Sequence, residues 1–178
     1  MINNLKLIVC CDANYGIGYM NNLPWKIAEE MKLFQSKTIG ERKNCVIMGK
    51  HTFNSIPPKY SPLKNRHNCV LSSQTEAHDS ESISIFASID TLLEWIKEKE
   101  YSYDTFWVIG GKQVYDLVVR DARINVDEIH MSILDTIYEC DTFFDVNCLE
   151  QYEVSKSTRF ECSKFTHRVY VRKTLDCP

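Results

Sequence analysis

The clearest structural signal in the sequence is Thr105-Phe-Trp-Val-Ile-Gly110-Gly111-Lys-Gln-Val-Tyr115. Thr105–Ile109 is apolar and short, as a buried strand is, and the two glycines end it. Lys112–Val119 then has apolar residues at helical spacing. A buried strand that leads directly into a helix is the unit from which parallel sheets are built. This stretch therefore predicts an α/β fold.

The same alternation of short apolar runs and segments of helical period extends outward over the whole chain. Further strands are predicted at Leu5–Cys11, Cys45–Met48, Asn68–Leu71, Ile83–Phe86, Glu128–Leu134, Glu153–Phe160 and Phe165–Arg172, the last two as an antiparallel hairpin. Helices are predicted at Glu29–Thr38, Lys50–Ser55 and Ile89–Glu98, the last with Ser88 as its N-cap. Strands that are apolar on both faces favour a central, mostly parallel sheet with helices on both faces and an antiparallel C-terminal strand.

Length and composition limit the possible classes of protein. The chain has 178 residues and no repeat or long linker, so we expect residues 1–178 to form a single domain. A hydrophobic fraction of 44% and a charged fraction of 25% exclude disordered, collagen-like and coiled-coil chains. The net charge of −3 argues against a general role in binding nucleic acid or anionic membranes.

Targeting signals and cysteine usage indicate the compartment. The longest apolar run, Leu7–Cys11, is far shorter than the ~20 residues of a membrane span. Because the sequence also lacks a signal-peptide pattern at its start, we expect a cytoplasmic protein. None of the eight cysteines forms a Cys-x-x-Cys pair, and no His/Cys/Asp cluster indicates a metal. We predict reduced, structural thiols, four of them in strands, at Cys10, Cys11, Cys45 and Cys69.

Ligands of parallel sheets bind beyond the carboxyl ends of the strands, so the residues after each strand are the candidates for chemistry. Gly49-Lys50-His51-Thr52 and Gly110-Gly111-Lys112 each place glycine and lysine where a helix begins, an arrangement that favours phosphate. Two such helix N-termini suggest a ligand with two separate phosphate groups, for which a dinucleotide is suitable. The P-loop pattern is absent, and Gly16-x-Gly18 lacks the helix that the dinucleotide fingerprint requires.

Other candidate residues have two interpretations each. The segment from Asp12 to Trp25 is either a plain connector or a mobile lid. Glu30 is either a solvated carboxylate of the first helical turn or an acid of the site. It shares a helix face with Met31, Phe34 and Thr38, which we expect to be buried, and a carboxylate there needs a hydrogen-bond donor.

The hydroxyl and guanidinium groups near the third predicted strand are further candidates for binding a ligand. Arg66 is either solvated or the side chain that holds a carboxylate through two parallel hydrogen bonds. Ser72 and Ser73 offer two hydroxyls where a further phosphate group could bind.

Motifs in a fixed order identify a family resemblance. They are Gly16-Ile-Gly18 before Leu23-Pro24-Trp25, Val46-Ile-Met-Gly49-Lys50-His51-Thr52, Ser55-Ile56-Pro57, Pro62-Leu63-Lys64-x-Arg66, Leu71-Ser72, Trp107-Val-Ile-Gly110-Gly111-x-x-Val114-Tyr115 and Asp141-Thr142-Phe143-Phe144. Each motif is weak alone, but together they cover essentially the whole chain. The sequence closely resembles dihydrofolate reductase.

The resemblance implies a role for each matching position. Glu30 falls at the position of the pterin-binding carboxylate, Ser132 replaces the threonine that supports it, Trp25 would orient an ordered water, and Tyr115 completes the implied catalytic group. The implied substrate-binding residues are Ile8, Cys10, Met31, Phe34, Ile56, Leu63, Arg66 and Ile109. The implied cofactor-binding residues are Ile17, Gly18, Lys50, His51, Thr52, Leu71, Ser72, Ser73, Gly110, Gly111, Lys112, Gln113, Val114 and Tyr115. The family holds its Gly-Gly pair in a cis peptide, which implies the same for Gly110-Gly111.

The implied reaction is the reduction of dihydrofolate to tetrahydrofolate with NADPH. Some family members carry basic residues where this chain has Ser73 and Ala87, so selectivity for NADPH over NADH is expected to depend on Lys50 and Lys112. The resemblance also implies a monomer that binds dihydrofolate and antifolate-type inhibitors, with no nucleic acid or membrane partner. Two alternatives are a pyrimidine reductase of flavin biosynthesis with the same fold and a non-catalytic folate-binding relative.

Overall fold

A computed structural model describes residues 4–74 and 78–174. The strands are β1 Leu5–Cys11, β2 Gly16–Gly18, β3 Asn44–Gly49, β4 Arg66–Leu71, β5 His78–Asp79, β6 Ile83–Phe86, β7 Thr105–Gly110, β8 Glu128–Leu134, β9 Thr142–Phe143, β10 Tyr152–Phe160 and β11 Phe165–Arg172. The α-helices are α1 Ala28–Ile39, α2 Lys50–Ser55, α3 Ile89–Lys99 and α4 Lys112–Arg120. Short 3₁₀ helices lie at Pro58–Tyr60 and Val146–Gln151. The predicted strands and helices are therefore present, with bounds that differ by one or two residues.

The main sheet has nine strands in the order β10-β11-β8-β1-β7-β3-β4-β6-β5. The pairs from β8 to β6 are parallel, whereas β5, β10 and β11 pair antiparallel to their neighbours. This confirms the predicted α/β class with a mostly parallel centre and an antiparallel C-terminal edge.

Successive residues of a strand point to opposite sides of the sheet. Because the inner strands carry apolar side chains on both sides, helices cover both faces. In β1, Leu7 and Val9 pack in the core that includes the buried residues of α3 and α4. Ile8 points the other way, into the core against which Phe34 of α1 and Phe53 of α2 pack. The continuous apolar composition of the inner strands is thus a consequence of burial on both faces.

The segment between β1 and α1 is structured. β2 pairs with β9, and Tyr19 and Asn22 exchange backbone hydrogen bonds of 2.9 Å across a tight turn. The backbone N–H of Met20 donates to Asp141 Oδ2 (2.8 Å). The backbone N–H of Gly16 donates to Asp12 Oδ1 (2.8 Å). The short strand β2 was not predicted, because three residues are too few to show a hydrophobic period.

Two local predictions have different outcomes. Ser88 caps α3, since its hydroxyl accepts from the Thr91 backbone N–H, as predicted. The prediction that Met31 lies on the buried face of α1 is wrong: Glu30 and Thr38 are buried, but Met31 is 52% exposed. The residue after Glu30 is rotated by about 100° around the helix. Met31 consequently faces the mouth of a cleft and not the sheet.

The helices within residues 4–74 and 78–174 are too short or too polar to span a membrane. Within the same ranges, no three His, Cys, Asp or Glu side chains lie close enough together to hold a metal ion. The cysteines of the described part of the chain are all free, including Cys45 and Cys69, whose Sγ atoms are 3.4 Å apart.

Candidate active site

A cleft of about 1960 Å³ opens at the carboxyl ends of the parallel strands. It is lined by the ends of β1, β3, β4 and β7, by α1 and α2, by the start of α4 and by the segment after β2. Of the predicted site residues, all but Ser132 and Gly110 line this cleft. The predicted site residues that follow β1, β3, β4 and β7 thus lie along one cleft, together with Arg66 at the start of β4.

Glu30 is the buried acid of the cleft. It is 7% exposed, and its carboxyl group is hydrogen-bonded by the Ser132 hydroxyl and the Cys10 thiol. Burial raises the pKa of Glu30 above its ordinary value, and the two hydrogen bonds oppose that shift only in part. By contrast, the preceding Glu29 is exposed and accepts a 2.6 Å hydrogen bond from Ser163 Oγ. Of the two interpretations of Glu30, the geometry supports a site acid.

Two further polar groups lie beside this acid. Burial, together with the Glu30 charge, raises the pKa of Cys10 well above its ordinary value, so the thiol is protonated and can donate to the carboxylate. The Trp25 ring is buried, and its Nε1 lies near the Cys10 sulfur without an oxygen or nitrogen acceptor in the described part of the chain. A buried N–H without such an acceptor is uncommon. It suits the water-orienting role that the sequence resemblance implies for Trp25.

Arg66, at the start of β4, is the cation at the other end of the same pocket. Its Nη1 donates to Thr38 Oγ1 (2.7 Å), and its Nε donates to the Lys64 carbonyl (3.1 Å). These contacts fix the side chain without neutralising it, because Arg66 forms no ion pair with any described residue. Burial lowers the pKa of Arg66, but a guanidinium stays charged in proteins. Its remaining donors suit a carboxylate.

Apolar side chains form the walls between Glu30 and Arg66. Phe34, Ile56, Leu63 and Ile109 are partly buried against a core that contains Ile8. A flat aromatic ring with a carboxylate tail would contact these walls along its faces, with its polar edge at Glu30 and its tail at Arg66. All eight residues of the predicted substrate-binding set line the cleft, and their role in binding stays a prediction.

The cofactor side of the cleft is built from two helix N-termini. Neither Gly49, at the start of α2, nor Gly111, at the start of α4, provides a side-chain cap, so the first backbone N–H groups remain available. A Cβ at Gly111 would lie 3.2 Å from Thr52 Oγ1, and one at Gly49 would lie 3.2 Å from Val114 Cγ2. The two N-termini therefore adjoin. They suit two linked phosphates, in place of the two separate phosphate groups expected from the sequence.

The two lysines at these helix starts differ. Lys112 Nζ is ion-paired with Asp116 Oδ1 at 2.7 Å, across one helical turn. Lys50 forms no ion pair with any described residue. The charge of Lys112 is thus compensated by a residue four positions later, and the expectation that both lysines supply positive charge to the ligand stays a prediction. Ser73 and Ala87, which are both exposed, also line the cleft.

Tyr115 and Gly110 form the junction between the two sides. The Tyr115 hydroxyl donates to the Ile8 carbonyl (2.8 Å), and burial raises the pKa of Tyr115 strongly. Gly110 has φ +107°, and a Cβ there would lie 2.9 Å from the Tyr115 ring. Gly110-Gly111 is a cis peptide, as the resemblance implies. The hydroxyl proton of Tyr115 is thus engaged by a backbone carbonyl, and the catalytic role that the resemblance implies for Tyr115 stays a prediction.

Ser132 and two histidines lie behind the cleft. Ser132 is fully buried next to Glu30, and its Oγ lies 3.1 Å from His167 Nδ1. Sequence reasoning missed His167 and its partner His130. The available signal was the alternation of polar residues in Glu128-Ile-His130-Met-Ser132, because an inner strand of a covered sheet should be apolar on both faces.

Comparisons with known proteins agree with this geometry. A family model described as "Dihydrofolate reductase" matches residues 4–175. The chain is 35% identical over 164 residues to the dihydrofolate reductase of Rattus norvegicus, covering 86% of this chain and 85% of that protein. It is 33% identical over 147 residues to the dihydrofolate reductase of Heliothis virescens, covering 79% of this chain and 78% of the relative. The dihydrofolate reductase of Schistosoma mansoni is 33% identical over 145 residues, covering 79% of this chain and 77% of that protein.

Proposed function

The chain belongs to the dihydrofolate reductase family, and on that premise we propose that it uses NADPH to reduce dihydrofolate in the cleft between Glu30 and Arg66. The reaction itself, reduction of dihydrofolate to tetrahydrofolate, is that of the family. The observation that carries the proposed site is the pairing of a buried acid with a guanidinium that has no anionic partner in the described part of the chain, at opposite ends of one apolar pocket.

Glu30 orients the pterin and governs its protonation. The carboxyl group binds the polar edge of the ring, and its raised pKa increases the fraction that carries a proton at neutral pH. The buried Trp25 Nε1 lies near the Cys10 thiol, which is itself hydrogen-bonded to Glu30, and a water held beside these groups would pass the proton to N5 of the pterin. Ser132 fixes the carboxyl group from behind, and Arg66 holds the carboxylate of the glutamate tail.

The cofactor side has the donors that a pyridine dinucleotide needs. The uncapped N–H groups at Gly49 and Gly111 suit its diphosphate, and the close approach at both glycines leaves no room for a Cβ without a shift of Thr52 or Val114. NADPH would supply the hydride when bound. Lys50 contributes the uncompensated positive charge that favours a phosphorylated ribose over a plain one.

The segment from Gly16 to Trp25, which contains β2 and the turn after it, is assigned to the closing of the cleft. Ile17, Gly18 and Leu23 line the cleft, while the hydrogen bond between Met20 and Asp141 anchors the turn. This arrangement supports a lid that excludes water from the reacting ring atoms, in preference to a plain connector.

A cytoplasmic monomer without nucleic-acid or membrane partners is part of the same proposal. It is supported by the net charge of −3 and by the free cysteines of the described chain, which are typical of a reducing compartment. Antifolate-type inhibitors are expected to bind in the pterin pocket, since they present the same edge to Glu30.

The test is a spectrophotometric assay of the purified protein. Loss of NADPH absorbance that depends on dihydrofolate, with a lower KM for NADPH than for NADH, is the expected result. If NADPH is consumed only when a pyrimidine substrate of flavin biosynthesis replaces dihydrofolate, the assignment is wrong. If dihydrofolate and NADPH both bind but neither dihydrofolate nor the pyrimidine substrate is reduced, the chain is a binding protein.

A further inference from the structure

A line of polar side chains crosses the covered face of β8, where apolar residues are expected. Glu128, His130 and Ser132 alternate along the strand and so point to the same face. In the register of the sheet, Ser132 lies opposite His167 of β11 on one side and opposite Cys10 of β1 on the other. The line therefore runs from the edge of the domain to the back of the cleft.

The side chains form a continuous hydrogen-bonded chain. Glu128 Oε2 lies 2.8 Å from His130 Nε2, and His130 Nδ1 lies 3.2 Å from His167 Nε2. His167 Nδ1 lies 3.1 Å from Ser132 Oγ, and the Ser132 hydroxyl contacts the carboxyl group of Glu30. Glu128 is about one-third exposed, whereas the two histidines and Ser132 are 4%, 5% and 1% exposed. One end of the chain meets solvent, and the other end meets the acid of the active site.

Both histidines are neutral at physiological pH. Burial lowers the pKa of His130 and lowers that of His167 to about 4. At His130 the hydrogen bond and negative charge of Glu128 oppose this shift in the pKa. The other charged groups that act on the two rings are cationic and lower the pKa further: Lys37 of α1 acts on both rings, Lys6 of β1 on His130 and Lys156 of β10 on His167. A neutral imidazole has one N–H donor and one acceptor nitrogen, so each ring transmits the direction of the hydrogen bonds from one side to the other.

With Glu128 ionised, the direction of every bond is fixed. His130 donates from Nε2 to Glu128, His167 donates from Nε2 to His130 Nδ1, and the Ser132 hydroxyl donates to His167 Nδ1. Ser132 Oγ is then free to accept, so Glu30 completes the chain when it carries a proton.

With Glu30 ionised, every bond reverses. Ser132 donates to Glu30, His167 donates from Nδ1 to Ser132, and His130 donates from Nδ1 to His167 Nε2. His130 Nε2 then needs a donor, which is a protonated Glu128. The two arrangements contain the same number of protons, and if both carboxyl groups were ionised, one contact in the chain would bring two acceptors together.

We propose that Glu30 and Glu128 share one proton through Ser132, His167 and His130. The proposal rests on the proposed role of Glu30 as the site acid. When Glu30 is ionised and Glu128 is protonated, a proton passes from Glu128 to His130 Nε2, from His130 Nδ1 to His167 Nε2, from His167 Nδ1 to Ser132 and from Ser132 to Glu30. This converts the second arrangement into the first, with a change of tautomer in each imidazole and no net gain or loss of protons.

The outer end of the chain sets where the shared proton resides. Lys6 Nζ lies 3.0 Å from Glu128 Oε2. Although burial raises the pKa of Glu128, hydrogen bonds from His130 and Lys6 leave it below its ordinary value. The ion pair with Lys6 thus favours ionised Glu128 and holds the proton on Glu30. His130, His167 and Glu128 act through Ser132 and do not touch substrate, so they are positioning residues.

The test is the titration of Glu30 in the ligand-free protein, followed by NMR of ¹³C-labelled carboxyl groups and assigned with Glu30→Gln. In Glu128→Gln, the amide can donate to His130 Nε2 without any proton uptake, so the chain can point toward an ionised Glu30. The midpoint of Glu30 should fall by about one pH unit, a tenfold change in proton affinity. Glu29→Gln is the matched control, because it removes a charge from the adjacent residue and leaves the chain intact.

A second variant tests the connection through the histidines. His167→Phe should lower the Glu30 midpoint by a similar amount, and Glu128→Gln should add nothing further in that background. A shift in Glu128→Gln no larger than in Glu29→Gln would overturn the proposal. So would a full Glu128 effect that persists in the double variant, since only a through-space charge effect would survive loss of the chain. The titration needs no substrate, so its result is independent of whether the protein reduces dihydrofolate.

Discussion

The two sides of the cleft recognise charge by different means. The proposed folate side presents side-chain groups: buried Glu30, held by Ser132 and Cys10, and half-buried Arg66, held by Thr38. The proposed cofactor side presents backbone N–H groups at the starts of α2 and α4, where Lys50 is half-buried and Lys112 is already paired.

This difference predicts where substitutions matter. Truncation of a buried, hydrogen-bonded charge removes the interaction and leaves its partner desolvated, at a cost of about 2–5 kcal/mol. Backbone N–H donors cannot be removed by changing a side chain. Side-chain substitutions should therefore have large effects on the folate side and smaller ones on the cofactor side.

The largest effect is expected for Glu30→Gln. Turnover at neutral pH should fall by around 10² to 10⁴, the contribution of a positioned acid–base group, because the amide anchors the pterin poorly and cannot deliver a proton. Glu29→Gln is the control: this carboxylate is exposed, and turnover should stay within about twofold of the wild type. Equal losses in both variants would mean that the first turn of α1 supports only the fold.

Arg66→Ala should act on binding and spare the chemical step. We expect KM for dihydrofolate to rise at least about tenfold, with kcat nearly unchanged. The loss should vanish with a dihydropterin that lacks the glutamate. Lys64→Ala, which leaves the Lys64 carbonyl in place as an acceptor for Arg66 Nε, is the matched control. An equal loss with both substrates would contradict the assignment of Arg66 to the tail.

A smaller effect is expected for Lys50→Ala on the cofactor side. Loss of one charge-assisted contact, about 1.5–3 kcal/mol, should raise KM for NADPH and leave KM for NADH almost unchanged. Steady-state kinetics with both cofactors check this directly. An unchanged preference between the two cofactors would show that Lys50 does not read the ribose phosphate.

The smallest effect is expected for Lys112→Ala. Since Asp116 already compensates this lysine, removal of the partly exposed pair should change KM for NADPH by less than about fivefold, or about 1 kcal/mol. Asp116→Asn should have the opposite effect and lower KM for NADPH, because it releases the positive charge. A large rise in KM for NADPH in Lys112→Ala would show that Lys112 serves the cofactor in spite of its pairing with Asp116.

Much of the fold follows from local sequence signals. Buried strands such as Thr105–Gly110 appear as continuous apolar runs, and α3 is marked by its Ser88 cap. The carboxyl ends of parallel strands meet at one edge of a sheet, so the residues after each strand could be assigned to one cleft before their distances were known.

What could not be predicted depends on contacts between distant segments. Met31 is apolar, as buried residues usually are, but the position of α1 over the cleft leaves its side chain exposed. The chain from Ser132 to His130 requires the register of β8 against β11, which a single strand does not reveal. Likewise, the adjacency of Gly49 and Gly111 arises from the sheet order, in which β3 lies beside β7.

Glu30 is assigned as the acid of the folate side, and the pH dependence of kcat/KM checks this assignment. The measurement covers about pH 5 to pH 9 with wild type and Glu30→Gln, using saturating NADPH. Because burial raises the pKa of Glu30, the wild-type rate should rise as the pH falls and then level off once the acid is protonated. The variant must take its proton from solvent, so its rate should continue to climb in acid. Near-normal activity of Glu30→Gln at neutral pH, or a rate that does not rise in acid, would show that Glu30 is not the acid of the site.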